Sequence, residues 1–319
     1  MSVCSSLNLY PVSEAFDKQT LAVGDGHCLH VERFGNPEGN PVVLLHGGPG
    51  ATWSSHMVRF FDPDHYHIIA FDQRGAWRST PLGSLQNNTT QHLIGDIETI
   101  REMLGIDRWV VQGWSWGSAL ALAYAETHPE RCAALLVQGI VLFRPGFEHW
   151  DFRDSRDLFP DAFSRLEAFA PAEHRGDLYA WYHDVILGDD TALALDASNQ
   201  WYEYSEVLSN AHRVDPALTG PEESDEEVLA GSRISMHYWQ NAAFLPEDTL
   251  YKNAHRLSGI PGSILHGEKD FNCLVSAAHD LHAVWPEADF HTIPDAGHSI
   301  FEPETARLLV EATDRFREI

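Results

Sequence analysis

The pentamer Gly113-Trp114-Ser115-Trp116-Gly117 constrains this chain more than any other stretch. It follows an apolar run, Trp109-Val110-Val111-Gln112, and leads into Ser118-Ala119-Leu120-Ala121-Leu122-Ala123-Tyr124-Ala125, which has the composition of a helix. Strand, tight turn and helix in that order is the setting in which a Gly-x-Ser-x-Gly turn holds its serine in a strained conformation. Small flanking residues let strand and helix approach closely. The hydroxyl is then pushed out at the top of a sheet, at a helix N-terminus. Such pentamers also occur by chance; it is the flanks that make Ser115 a candidate nucleophile.

Further apolar runs of strand length are Pro41 to Leu45, Tyr66 to Phe71, Ala134 to Gly139, Ser263 to Gly267 and Asp289 to Ile293. Residues Leu21 to Phe34 read as a strand or hairpin turning at Gly24-Asp25-Gly26. Between the runs lie helical patterns. In Thr90 to Leu104 the apolar residues Leu93, Ile94, Ile97, Ile100, Met103 and Leu104 mark one face. Ser118 to His128, Ser276 to Trp285 and Pro303 to Phe316 behave alike. Strands apolar throughout, alternating with amphipathic helices, predict an α/β fold with a mostly parallel central sheet covered on both faces.

The alternation stops between about Phe143 and Leu250, a stretch without strand-like runs and rich in aromatics such as Trp150, Trp181, Trp201 and Trp239. We expect residues 143–250 to form a helical cap over the C-terminal edge of the sheet, with 1–142 and 251–319 making the core. Most of the aromatics would build the cap's own interior and a minority would line a pocket. The acidic run Pro221 to Glu227 reads as a solvated turn and helix start.

Bulk properties narrow the function. A formal net charge of -26 argues against nucleic acid or an anionic membrane as partner. It fits simple solubility, or a field that draws amine-bearing substrates. Cys4, Cys28, Cys132 and Cys273 are scattered, so neither a disulfide framework nor a zinc site is indicated. Residues Met1 to Phe16 lack a basic segment followed by an apolar one, and no run is long enough to span a membrane. The expectation is a cytoplasmic protein. The 19 histidines include no His-Glu-x-x-His and no Cys/His cluster, so no metal or other cofactor is expected. Nothing fixes the oligomeric state; the expected partner is a small molecule or a short peptide.

A serine hydroxyl attacks only when a base takes its proton, and the base needs an orienting acid. With the nucleophile on such a turn, the chain order is serine, acid, histidine. Asp270 follows the run Ser263 to Gly267, and His298 follows Asp289 to Ile293; both fall on loops at C-terminal ends of strands, where open α/β sheets place functional residues. Asp295 and Glu268 are rival acids. An oxyanion needs two backbone donors. One is expected from Trp116 and the other from the loop His46-Gly47-Gly48-Pro49-Gly50, where we assign Gly48.

Taken together, His46-Gly47-Gly48-Pro49-Gly50, Asp72-Gln73-Arg74-Gly75 with Arg78-Ser79, Ser115-Trp116-Gly117-Ser118 and the Asp270 and His298 loops resemble the proline iminopeptidases of the α/β-hydrolase superfamily. The likeness runs on through Asn88-Thr89-Thr90, Asp96-Ile97-Glu98 and Ala125 to Pro129. It implies an α/β-hydrolase fold with a helical cap and a metal-free serine exopeptidase that removes an N-terminal residue, typically proline. There are departures. Trp114 stands where the family has glycine, and Ala76-Trp77 interrupts its Gly-Ser-Gly-Arg-Ser pattern. The resemblance also implies two cap glutamates that hold the substrate's ammonium. Ser205, in Trp201-Tyr202-Glu203-Tyr204-Ser205, and Ser235, in Arg233-Ile234-Ser235-Met236-His237-Tyr238, stand at those positions. A buried ammonium without an anion costs several kcal/mol. Glu203 or Glu206 could supply a replacement. We therefore take Trp77, Trp114, Ser205, Ser235, Glu203 and Tyr238 as candidate substrate-binding residues. Three functions stay open: an iminopeptidase, an amidase, esterase or acyltransferase for an apolar non-peptide substrate, and a non-catalytic binding protein on the same scaffold. Ser115 at the elbow excludes chemistry that needs a carboxylate nucleophile there.

Overall fold

A computed structural model describes residues 7–209, 218 and 223–319. Eight strands form one sheet: β1 Asp17–Gly24, β2 His27–Gly35, β3 Asn40–Leu45, β4 Tyr66–Phe71, β5 Trp109–Trp114, β6 Cys132–Gln138, β7 Gly262–Gly267 and β8 Asp289–Ile293. Their spatial order is β1-β2-β4-β3-β5-β6-β7-β8. The first two strands run antiparallel to their neighbours, and every pair from β4 to β8 is parallel.

The central strands are buried from end to end because both faces of the sheet are covered. Side chains alternate between those faces. Val43, Leu45, Ile69, Phe71 and Val111 enter one core, shared with α1 Thr90–Met103, α2 Trp116–Thr127 and α8 Val275–Val284. Val42, Leu44, Ile68, Ala70 and Val110 enter the other, with α9 Pro303–Arg315. Edge strand β1 instead alternates half-buried and exposed residues, as a strand with one wet face must. Helix α2 is buried on all sides save its last residue, which its alanine-rich sequence permits.

Between β6 and β7 lie α3 Pro160–Phe169, α4 Leu178–Ile186, α5 Thr191–Leu208, α6 Asp225–Gln240 and the short α7 Thr249–Lys252. Phe152, Phe163, Tyr182, Trp201, Tyr204 and Met236 form a hydrophobic cluster there, separate from the two sheet cores. Ser224 starts α6 with a capping box: its hydroxyl accepts from the Glu227 amide, and the Glu227 carboxylate accepts from the Ser224 amide. The expected turn and helix start is thus seen from Glu223 onward; Pro221 and Glu222 lie outside the described residues.

Strand order reverses at β3, which has β4 on one side and β5 on the other. The crevice beyond the carboxyl ends of β3 and β5 is where an open α/β sheet binds ligands. The loop 46–50 and Ser115 both open onto it.

Candidate active site

Ser115 has φ 58° and ψ -128°, a left-handed conformation that a side chain ordinarily avoids. The flanking glycines explain how the strand and helix tolerate it. A Cβ on Gly113 would fall on the Gly117 carbonyl, and one on Gly117 would fall on the Leu45 carbonyl. The Ser115 amide donates to the Gln138 carbonyl at 3.0 Å, which ties the turn to β6.

His298 and Asp270 meet. The imidazole Nδ1 lies 2.7 Å from Asp270 Oδ2. The other oxygen, Oδ1, accepts from the amides of Asn272 and Cys273 at 3.0 and 2.7 Å. Burial disfavours a charged imidazole, but the Asp270 carboxylate more than offsets it and holds His298 well above its ordinary value. Asp270 is correspondingly held below the usual carboxylate range despite its burial. The rival acid Asp295 is ion-paired with Lys269. Gly139, at φ 55°, is the close neighbour of the ring: a Cβ there would sit 3.2 Å from His298 Cε1.

Cys273 carries no spacing signal, yet its buried thiol lies within 4.8 Å of the His298 ring nitrogen and the Asp270 carboxylate, and Ser115 is near enough to act on its titration. It is therefore the common neighbour of candidate base and candidate nucleophile. Burial raises its pKa against the pull of His298. Asp270, Cys273 and His298 are also the one group, among the described residues, whose donor atoms lie close enough together to hold a metal ion, within 4.8 Å. Two of its three members are already bonded to each other.

The other candidates separate. Trp116 is buried, its indole donates to Gln73 Oε1 at 2.7 Å, and Gln73 in turn donates to the His46 carbonyl at 3.0 Å. His46 Nε2 accepts from the Gln73 amide, and burial keeps the ring's pKa low. This network joins the elbow to the loop that contains Gly48, whose φ is 115°. In the sequence Gln73 is legible only as part of Asp72-Gln73-Arg74-Gly75, with no spacing that assigns it a role. Trp114 stacks obliquely on His298, centroids 5.2 Å apart, and donates to the His298 carbonyl at 2.9 Å. It braces the base. Among the described residues, no hydrogen bond or ring contact joins Trp77 to Ser115, Asp270 or His298.

Ser115 is 6% and His298 9% exposed, and α6 touches the loop after β3 and the start of α2 beside them. The Ser235 hydroxyl donates its proton to the Pro49 carbonyl at 2.6 Å, which ties α6 to the loop after β3 and leaves the oxygen only its lone pairs to offer. Tyr238 is fully buried, with its hydroxyl on Asn88 Oδ1 at 2.9 Å and its ring against Trp116. It too backs the site from behind. Just past α5, the Ser209 carbonyl accepts from the His298 amide at 3.1 Å, while that of Leu208, its last residue, accepts from the Phe271 amide at 3.1 Å. Ser205 lies half-buried one turn before Ser209. Glu203 is exposed, in a surface hollow with Ala162, Arg165 and Gln200. Glu206 lies at the rim: surrounding protein raises its carboxyl pKa, opposed by the nearby His298 charge and the Tyr202 hydroxyl.

The family described as alpha/beta hydrolase fold matches residues 40–305. A proline iminopeptidase of Xylella fastidiosa is 45% identical over 310 residues, 97% of this chain and 99% of that protein. One from Arabidopsis thaliana is 38% identical over 314 residues, covering 98% and 82%. Among solved structures, the proline iminopeptidase of Mycobacterium smegmatis superposes with a TM-score of 0.59 at 20% identity, covering 94% of this chain and 99% of that one. An esterase from Rhodococcus reaches 0.64 at 18% identity, covering 94% and 98%. At such identities these two structures speak for the fold alone. Among the described residues, no helix is long and apolar enough to cross a membrane.

Proposed function

This chain belongs to the proline iminopeptidase family of α/β hydrolases, and from that premise we propose that it releases N-terminal proline from small peptides or amides through an acyl-enzyme. Ser115 is the nucleophile, His298 the base and Asp270 the acid that fixes the ring's tautomer. The observation that carries this is the 2.7 Å His298–Asp270 bond, together with a Ser115 held at φ 58° on the turn between β5 and α2. His298 takes the hydroxyl proton as Ser115 attacks the carbonyl carbon. The same proton then passes to the leaving amine. Water repeats the sequence and frees proline. The developing oxyanion is held by the amides of Trp116 and Gly48, at the start of α2 and in the loop after β3. Residues 1–142 and 251–319 make the hydrolase core, 143–250 the cap, and the working compartment is the cytoplasm.

A second function, an amidase or esterase for a neutral apolar acyl group, is favoured by the lack of a carboxylate at positions 205 and 235. Hydrolysis of prolyl-β-naphthylamide and of a short p-nitrophenyl ester separates the two. Labelling by a fluorophosphonate, lost in Ser115→Ala, checks the nucleophile. If the alanine variant turns over either substrate at the wild-type rate, Ser115 is not the nucleophile.

A further inference from the structure

Asp151 lies in the single turn Trp150–Asp154 that precedes the cap helices, and it is 2% exposed. One neutral donor serves it: the Trp201 indole N–H, 2.9 Å from Oδ2. Among the described residues no lysine, arginine or histidine pairs with it. The arginines of its own neighbourhood are drawn elsewhere, Arg153 to Asp154 and Arg156 to Glu167. The Tyr204 hydroxyl, close enough to feel this carboxylate, is taken by Ser155 at 2.8 Å. A buried carboxylate with one hydrogen bond and no counter-ion is costly, and a fold keeps one rarely without a partner for its charge.

Its position ties it to the catalytic loops. The adjacent Trp150 indole donates to the Phe271 carbonyl at 2.7 Å, one residue past Asp270. Trp201, which holds Asp151, lies one turn before Ser205 on α5 and two turns before Ser209, the residue just past that helix, whose carbonyl holds the His298 amide. The carboxylate is thus joined through its two neighbours to the segments that carry Asp270 and His298: Trp150 binds the loop of Asp270, and Trp201 belongs to the helix after which Ser209 holds the His298 amide. Burial without a cation pushes its pKa up to about 6, so near neutrality it is ionised and unpaired.

Resting on the hydrolase assignment above, we propose that Asp151 is the anion that receives the protonated amine of the substrate's acyl group, taking over from the two positions now occupied by Ser205 and Ser235. The substrate supplies the missing counter-ion. Amine selectivity is thus carried by a residue on the turn before the cap helices and not by α5 or α6.

Asp151→Asn keeps an oxygen for the Trp201 indole and removes only the charge, which separates recognition from structure. The variant should lose about 30-fold or more in kcat/KM toward prolyl-β-naphthylamide. It should keep its rate toward a neutral p-nitrophenyl ester, and its melting temperature should hold or rise. An equal loss on both substrates would overturn the proposal, as would a selectivity loss in Glu206→Gln with none in Asp151→Asn. A test without any variant is available in the wild type. Pyrrolidinium should inhibit ester hydrolysis competitively and cyclopentanol should not; equal inhibition by the two refutes an anionic anchor. A wild type that cleaves the ester but no aminoacyl amide refutes the anchor alone. One that cleaves neither and fails to label with fluorophosphonate refutes the Ser115 assignment instead.

Discussion

Glu126 is a second buried carboxylate, and it permits a quantitative test of how this fold tolerates charge. It lies in α2, the helix that follows the elbow, is 3% exposed, and its Oε1 has no hydrogen-bond partner. Burial pushes its pKa up to about 9, with only a weak opposing pull from Arg256. The folded chain therefore keeps a proton that the unfolded chain, near 4.5, gives up. Stability falls by about 1.4 kcal/mol per pH unit between those values, because folding must recapture that proton. Glutamine has the same shape and no proton to recapture. Glu126→Gln should gain about 1 kcal/mol at pH 5, about 3 kcal/mol at pH 7 and about 5 kcal/mol at pH 8. For a chain of 319 residues, 1 kcal/mol corresponds to roughly 1.5 °C in Tm. The difference in Tm between variant and wild type, followed by scanning fluorimetry from pH 5 to pH 8, should widen from about 1 °C to about 7 °C. A difference that stays flat with pH would show that Glu126 is ionised in the fold, and the burial argument would fail.

Four further outcomes bear on catalysis. His298 is raised above its ordinary value and must be neutral to act as base, so activity should climb with pH along an acidic limb centred above about 6.5; a limb well below that value contradicts the Asp270 pairing. Asp270→Asn should move that limb to lower pH and cut kcat by on the order of 10^3 to 10^4, the second effect being the wrong tautomer. Ser235→Ala removes the bond to the Pro49 carbonyl and leaves that oxygen unsatisfied, so kcat should drop roughly tenfold with KM little changed and with partial recovery in Ser235→Thr; an effect on KM alone would return Ser235 to substrate contact. Gly139→Ala combines a strained φ with a methyl against the His298 ring, and should slow phosphonylation by fluorophosphonate while the chain stays folded by circular dichroism.

The central strands were legible because each is apolar on both faces, so composition alone marked them whatever their register. Strand β1 is legible only from Leu21, although it begins at Asp17, since an edge strand alternates with polar residues and blends into a loop. Helices α1, α2, α8 and α9 fell within two residues of expectation because their apolar spacing repeats at the helical period. The individual cap helices were not separable: their aromatics pack on one another instead of on a sheet. At the site, spacing offers Asp295 and Glu268 beside Asp270; that the His298 ring pairs with Asp270 while Asp295 pairs with Lys269 is a contact between loops that spacing does not carry. The residues behind the site escaped for the same reason. That Trp114 would brace His298, that Ser235 would reach Pro49, or that Trp201 would hold Asp151 depends on how elements far apart in sequence meet.

Four hydrogen bonds fasten the helices above the crevice to the loops beneath: Ser235 to Pro49, Leu208 to Phe271, Ser209 to His298 and Trp150 to Phe271. On the proposed mechanism, a reactant reaching a serine so enclosed would have to part some of these bonds, and each one parted would loosen a loop beside a candidate catalytic residue. Admission and turnover would then fall in different conformations, and kcat/KM should be higher for a dipeptide or small amide than for a long peptide; equal values across a length series would refute the coupling.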